Sequence, residues 1–535
     1  MNIKQELPFG WALALIDDAI AILADGKTLQ QGWSPQCEKE PCDRPEEWGV
    51  LKTTAIQAGE YQGQHHKRLP AHLSAKDAIE VTEGDLLLTC AGPRVRCGVA
   101  CLVKKTRPRL MFSGKMYRFR AVPGATDARY IEVFLQTEEA QTAIDRMKTG
   151  GNDSGLNLTH DRFRQLEIKL APYSEQCRIV EKLEELLSDL DAGVAELKAA
   201  QKKLEKYRQS LLKAAVDGTL TASWREVQRQ AGSGPAETGA QLLERILAER
   251  RARWETKQLA KFEEQGRRPL KDWQEKYSEP IIPDVTALPK LPQGWIWASL
   301  DMLGDIVSGV AKGTKREADI VVREVPYLRV ANVQRGYLDL GEIKTIAATE
   351  KDIEELTLQD GDVLFNEGGD RDKLGRGWVW RDEVKECIHQ NHVFRMRPYL
   401  REIVPELVSY HGNTFGKFWF QAAGKQTTNL ASINMGMLRV FPVPLAPADE
   451  QKEILLLLQE QLDALNGQEK AVRLGLKQAA AQRQNILKAA FSGRLVPQDP
   501  NDEPAAVLLE RIRAERAALA AKGVPRRRGK AAATA

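Results

Sequence analysis

The residues whose types and placing could do chemistry are basic side chains near glycine and asparagine. One set is Lys67, Arg68, Arg94, Arg96, Lys104, Lys105 and Arg107. A second is Lys312, Lys315, Arg316, Arg371, Lys373, Arg376, Lys417 and Lys425. Several fall in expected loops. Lysine and arginine there could hold phosphates, while arginine, asparagine and glutamine could read base edges. The plainer reading is solubilising charge. The net charge of +4 does not decide between them, since a mild average can conceal a strongly positive face.

Other chemistry finds little support. The seven cysteines are sparse and odd in number, so they form no disulfide framework. Cys37 and Cys42, and Cys97 and Cys101, resemble metal half-sites only faintly, and His65, His66 and His72 supply no matching pair; plain thiols and no metal are expected. There is no Gly-x-Gly-x-x-Gly, no phosphate loop and no His-Glu-x-x-His. Glu167-Ile168-Lys169 and Glu342-Ile343-Lys344 look like the tail of a nuclease site, but such triplets are common. The chain is expected to be non-catalytic, without a cofactor of its own. No run is long enough to span a bilayer and the N-terminus has no apolar signal segment, so a cytoplasmic location is expected.

Something must position the two basic sets, and the sequence supplies it twice. Leu183, Leu187, Leu190, Val194, Leu197, Leu204 and Leu211 follow steps of three and four, with polar Gln201 and Arg208 in the same phase. Leu458, Leu462, Leu465, Val472, Leu476 and Ile486 do the same, with Glu469 and Arg483 as the imperfect positions. Each spacing is the seam of a long helix. Gln176 maps to Gln451, and Leu211–Leu220 to Ile486–Leu495, at one constant offset of 275 residues. A helix of about 45 residues is about 65 Å long and cannot bury its seam alone. Pairing within the chain is the expected solution; heptads alone do not give the orientation.

The rest of the chain repeats in the same order. Leu7-Pro8-Phe9-Gly10-Trp11 returns as Leu291-Pro292-Gln293-Gly294-Trp295. Glu83-Gly84-Asp85 before Leu86 returns as Asp360-Gly361-Asp362 before Val363. Gly155–Leu158 sits near the place of Thr427–Leu430, and Leu170-Ala171-Pro172 matches Leu445-Ala446-Pro447. Leu242–Arg253 is repeated by Leu508–Leu519. This is a tandem repeat of globule, rod, globule, rod. The expected division is 1–172, a first globular domain; 173–265, a helical region; 266–290, a linker or surface strap; 291–444, a second globular domain; 445–522, a second helical region; and 523–535, a basic disordered tail. The strand candidates at 50–58, 86–89, 97–103, 115–120 and 166–170, with one helix over 130–148, make the globules α+β. Two readers with one frame but different contents, joined by rods, suit a duplex, on which about 65 Å corresponds to roughly twenty base pairs.

With these features the chain resembles the DNA-specificity subunits of type I restriction–modification enzymes. The duplicated Leu-Pro-x-Gly-Trp openings, the Gly-Asp strand entries, the Leu-Ala-Pro exits and the helix ends Leu211–Leu220 and Ile486–Leu495 carry the resemblance over nearly the whole length. It implies two target recognition domains, each reading one half of a split, asymmetric DNA target. It implies that the helices pair as an antiparallel intramolecular coiled coil that fixes the spacer. It implies double-stranded DNA and two methyltransferase subunits as partners, with two motor-nuclease subunits joining them. S-adenosylmethionine, ATP and magnesium would belong to those partners. Two departures stand out: the long 266–292 linker, and the Cys/Pro/Gln-rich loop Gly32–Pro45 where the second globule has Ser308-Gly309. The main alternative is a coiled-coil scaffold that binds only proteins. The target sequence, the spacer length and the assignment of half-sites are not written in the sequence.

Overall fold

In the computed structural model the described residues are 7–232, 234–269, 271–311, 321–369, 373–423, 425–426 and 431–522. The chain forms two compact units: Met1–Lys198 with Arg473–Ala535, and Ala199–Val472. The division falls inside both long helices, Tyr173–Val216 and Ala448–Ala490, so each unit owns part of both.

Both units are built on one frame. In the first, strand Ala12–Leu15 pairs antiparallel with Glu167–Leu170, Ala12 facing Leu170. In the second, Ile296–Ser299 pairs with Pro442–Leu445, Ile296 facing Leu445. The opening tryptophan is tied to the first turn of the following long helix each time. Trp11 Nε1 donates to Glu175 Oε2 at 3.0 Å, and Trp295 Nε1 to Glu450 Oε2 at 2.8 Å. The next residue repeats a bond as well: the amide of Gln176 donates to Ala171 O at 2.8 Å, and that of Gln451 to Ala446 O at 2.9 Å. The Gly10 carbonyl accepts from Ala505 N at 2.8 Å, and the Gly294 carbonyl from Gly239 N at 2.7 Å. The helices Ala505–Lys522 and Gly239–Glu264 therefore hold equivalent places, each beside its own opening segment.

The first unit's core is a four-stranded sheet, Gln30–Gln31, Met116–Phe119, Leu86–Thr89 and Ala100–Leu102 in spatial order. Leu86–Thr89 is wholly buried. Gly84, at φ 85°, makes the turn into it, and buried Asp85 accepts from Thr82 N at 2.9 Å and pairs with Arg120 at 2.7 Å. The single helix expected over 130–148 is two, Ala128–Phe134 and Glu138–Met147. Thr137 causes the break: its hydroxyl accepts from Ala140 N at 3.2 Å and caps the second helix. The expected strand at 50–58 is likewise divided, into Gly49–Leu51 and Ile56–Gln57.

The second unit has a three-stranded sheet of Gly304–Ser308, Val393–Pro398 and Val363–Asn366, and another of Lys344–Ala348, Arg323–Leu328 and Ile388–His389. Helices Pro405–Asn413 and Phe415–Ala423 cover it. His389 and His411 are buried here. His389 Nδ1 lies 2.6 Å from Val393 O, and His411 Nε2 lies 2.9 Å from Pro442 O with its ring stacked on Phe415. Burial pushes both imidazoles down to about 4, and Arg395 and Arg397 add to the effect at His389. An unfolded histidine titrates near 6.5, so below that the unfolded chain binds more protons. Their contribution is complete above pH 6.5 and is lost as pH falls towards 4. Urea midpoints of this unit, followed by hydrogen exchange, should fall over that window. The slope should flatten in the His389→Gln, His411→Gln double variant.

The long helices run antiparallel in both units. In the first, Leu183 shares a core cluster with Leu487 and Ala490, Asp191 pairs with Arg483, and Gly475 lies against Leu197. In the second, Leu211 and Ala215 cluster with Ile454, Leu458 and Leu465. Arg208 there meets Glu469 at 3.1 Å and Asn466 at 2.6 Å. Every position of both seams is buried or half-buried. Arg208, Glu469 and Arg483 of the seams are thus paired, which suits register more than stability at sites this open to solvent.

The first rod is shorter than the helical region expected over 173–265. It ends at Val216, and Ala222–Gln230 is a separate helix. Gly218 takes φ 78°, and a Cβ there would come within 2.7 Å of Pro292 Cγ. Gly493, at φ 66°, has the same relation to Pro8, at 2.5 Å. Each rod stops on the proline of its unit's opening segment. In the 266–290 stretch, Trp273 and Ser278 lie against helix Gly239–Glu264. Trp273 stacks on Trp254 at 5.7 Å, and Arg250 donates to Ser278 O at 2.9 Å.

Candidate nucleic-acid interface

In the first unit the structure separates the candidate arginines from the candidate lysines. Arg68 is held by Glu38 at 2.7 Å, Asp43 at 3.0 Å and Glu47 at 3.4 Å. Arg107 donates to the carbonyls of Arg44, Pro45 and Glu47 at 3.1, 2.9 and 2.8 Å. Both therefore tie down the acidic 38–47 loop. Arg96 donates to Gln57 Oε1 at 3.0 Å and Ile56 O at 2.7 Å, pinning the 53–57 turn. Arg94 bridges Asp145 at 2.6 Å and Asp153 at 3.0 Å. An arginine so occupied is a structural clamp, because its planar fork is already spent on fixed acceptors. The lysines are open. Lys67 and Lys105 are exposed with no ion pair among the described residues, and Lys104 reaches Glu184 only at 3.8 Å across solvent.

In the second unit Lys312, Lys315, Arg316 and Arg371 lie outside the described residues. Lys373 is half-buried, and Arg376 donates to Val330 O at 3.3 Å. Lys417 is half-buried on helix Phe415–Ala423, and Lys425 is in the two-residue strand Lys425–Gln426.

What each unit repeats is a small sheet of two-residue strands. Ala91–Gly92 pairs with Leu156–Asn157, and Asn157 bridges to Thr149. Gly368–Gly369 pairs with Ala431–Ser432, which pairs with Lys425–Gln426. This aligns Leu156-Asn157 with Ala431-Ser432, three residues beyond the match expected between Gly155–Leu158 and Thr427–Leu430; residues 427–430 are outside the described set. In the first unit the edge consists of the 93–97 turn and the exposed 150–155 loop. Arg94 joins them: besides its ion pairs, its N donates to Asp153 O at 2.9 Å, and Lys148 Nζ donates to its carbonyl at 2.9 Å. Lys148 and then Arg94 hold the Asp145 carboxyl below its usual range. Sequence reasoning singled out Arg94 and Arg96 but missed the 150–155 loop. The available signal was the spacing Gly92…Gly98 against Gly369…Gly375.

Among the described residues no group of histidine, cysteine, aspartate or glutamate could hold a metal ion, and all seven cysteines are free. The two nuclease-like triplets are ordinary surface pairs: Lys169 goes to Glu139 at 2.8 Å, and Glu342 to Arg329 and Lys344 at 3.3 and 3.5 Å. No helix among the described residues is long and apolar enough to cross a membrane.

No family model matches the chain. Relatives do. It is 35% identical over 212 residues to the type I restriction enzyme EcoEI specificity subunit of Escherichia coli, a match covering 40% of this chain and 35% of that protein. It is 22% identical to the EcoKI specificity subunit of Escherichia coli, and to the StySPI specificity subunit of Salmonella potsdam, over 98% of this chain and 99% of each of them. The chain resembles type I restriction enzyme specificity subunits from end to end. The fold agrees. A solved chain described under "Structural basis underlying complex assembly and conformational transition of the type I R-M system" superposes with a TM-score of 0.59 at 16% identity, covering 91% of this chain and 99% of that one. The Trp–Glu ties and the strand pairs they accompany are the frame that the two units of this chain share.

Proposed function

We propose that this chain is the DNA-reading, non-catalytic component of a type I restriction–modification complex. Each unit reads one half of a split, asymmetric duplex target, and the paired helices set the spacer between the halves. Two methyltransferase subunits, which use S-adenosylmethionine, dock on the repeated frame and methylate adenine in each half. Two motor-nuclease subunits, which use ATP and magnesium, complete restriction. The observation that supports this reading best is the duplicated Trp–Glu frame carrying different loops, because two identical partners need an identical frame and two half-sites need different readers. The intramolecular ties of Arg68, Arg96 and Arg107 favour the second reading, a protein-only scaffold.

Methylation mapping of host DNA at single-base resolution, with and without this chain beside its methyltransferase partner, separates the two. The expected result is a split adenine-methylated motif that vanishes with this chain. Replacing residues 291–444 by another reader should then change one half of that motif. A change in both halves rejects the two-reader reading, and no motif at all with an active partner leaves the scaffold.

A further inference from the structure

The tip of the 93–97 turn is unusual in what surrounds it. Val95 is 81% exposed, the most exposed large apolar side chain in the first unit among the described residues. Its two neighbours are fixed. Arg94 is clamped by Asp145 and Asp153, and Arg96 by the 53–57 turn. The turn itself is closed by Arg96 N and Cys97 N, which donate to Pro93 O at 2.8 and 3.0 Å. Val95 therefore cannot swing into the core, and the apolar surface it shows to water is held there by bonds on both sides.

The facing loop is also shaped for display. Gly150 takes φ 150°, and a Cβ on it would lie 2.7 Å from Gly155 O, so the loop closes only with glycine there. Residues 150–155 are all exposed, and Asn152 is ordered by Ser154 Oγ, which donates to Asn152 Oδ1 at 2.8 Å. Arg94 and Lys148 balance Asp145 and Asp153, so the edge carries no net charge that a phosphate backbone would repel. The second unit keeps the two bounding glycines, Gly369 and Gly375, at the same six-residue spacing, yet has Asp372 in sequence where the first has Val95. In sequence the bounding glycines recur while the residue between them changes class.

Resting on the two-reader proposal, we infer that Val95 and Asn152 are specificity-determining residues of the first unit and contact base edges of its half-site. Valine suits the 5-methyl of thymine, and the Asn152 amide suits the N6/N7 edge of adenine. Neither would serve for phosphate; the open lysines are suited to that.

The experiment uses the full chain with its methyltransferase partner in a host without other adenine methylation, and compares wild type with Val95→Asn and Asn152→Ala. Both side chains are exposed, so folding is not at issue. The expected result is a change or relaxation at one base position of one half-site per variant, by roughly ten-fold in relative methylation, with the other half-site unchanged. A wild-type motif that both variants copy at every position overturns this inference alone. Absence of any split motif with wild type overturns the two-reader proposal, and this inference with it.

Discussion

Glu450→Ala should destabilise the second unit by about 3–5 kcal/mol, and Glu175→Gln should destabilise the first by no more than about 1 kcal/mol. The two carboxylates hold equivalent places but carry different loads. The Glu450 side chain is 2% exposed and accepts three bonds: from Trp295 Nε1 at 2.8 Å, from Thr221 Oγ1 at 2.7 Å and from Arg225. Removing it leaves an indole N–H and a buried hydroxyl without that acceptor and takes the carboxylate from half-buried Arg225, which keeps only Thr221 Oγ1 and Gly218 O. Desolvation of such groups, rather than the loss of one ion pair, sets the size of the effect. Glu175 accepts from Trp11 alone at 3.0 Å; its Oε1 is buried without a partner, and nearby Arg178 turns to Asp502 at 2.7 Å. Burial raises the Glu175 carboxyl, with the Trp11 bond opposing it, so a neutral amide is a close substitute. Urea unfolding followed by hydrogen exchange, read separately for the two units, measures both. Equal effects of the two substitutions would reject this account of the frame.

The fold was readable because its signals are periodic. A seam needs apolar residues at steps of three and four, and the positions from Leu183 to Leu211 and from Leu458 to Ile486 are those the structure shields from water. The repeat was readable because geometry that must recur leaves fixed offsets. The helix break at Thr137 and the rod's end at Gly218 were harder. Both depend on partners distant in sequence or on one cap: Gly218 is glycine because Pro292 lies against it. Antiparallel pairing was legible only through the resemblance, since the seams fit either direction. It follows from contacts such as Asp191 with Arg483 and Arg208 with Glu469.

The reading surface was less legible for a related reason. A basic residue in a loop looks the same in sequence whether it faces solvent or clamps a neighbour. Arg68 finds Glu38, thirty positions away, and Arg107 finds carbonyls some sixty away. No local pattern announces such bonds. Arginine is the residue type for which the clamp is most to be expected, since it satisfies several acceptors at once. The lysines beside them, Lys67 and Lys105, cannot do so and stay open.

Deleting one heptad from a single rod should abolish split-site methylation, and deleting matched heptads from both should restore it on a shorter target. Seven residues shorten a helix by about 10 Å. Take Asp191–Leu197 out of the first helix alone. The seam phase survives, but Arg483 and Gly475 lose their partners Asp191 and Leu197, and Leu183 is drawn out of level with Leu487 while Arg208 still meets Glu469. The second helix then has seven residues with no counterpart, and the pairing in one unit must slip. Removing Leu476–Gln482 as well takes out the facing heptad and lets Leu183 pack with Leu487 while Arg208 meets Glu469. Under the two-reader proposal the spacer then shortens by about three base pairs, at about 3.4 Å for each. Methylation mapping gives the spacer directly. A single-rod deletion that keeps the original spacer would sink the ruler. A matched deletion that restores folding but not a shorter target would show that the length of the pair does not set the spacing.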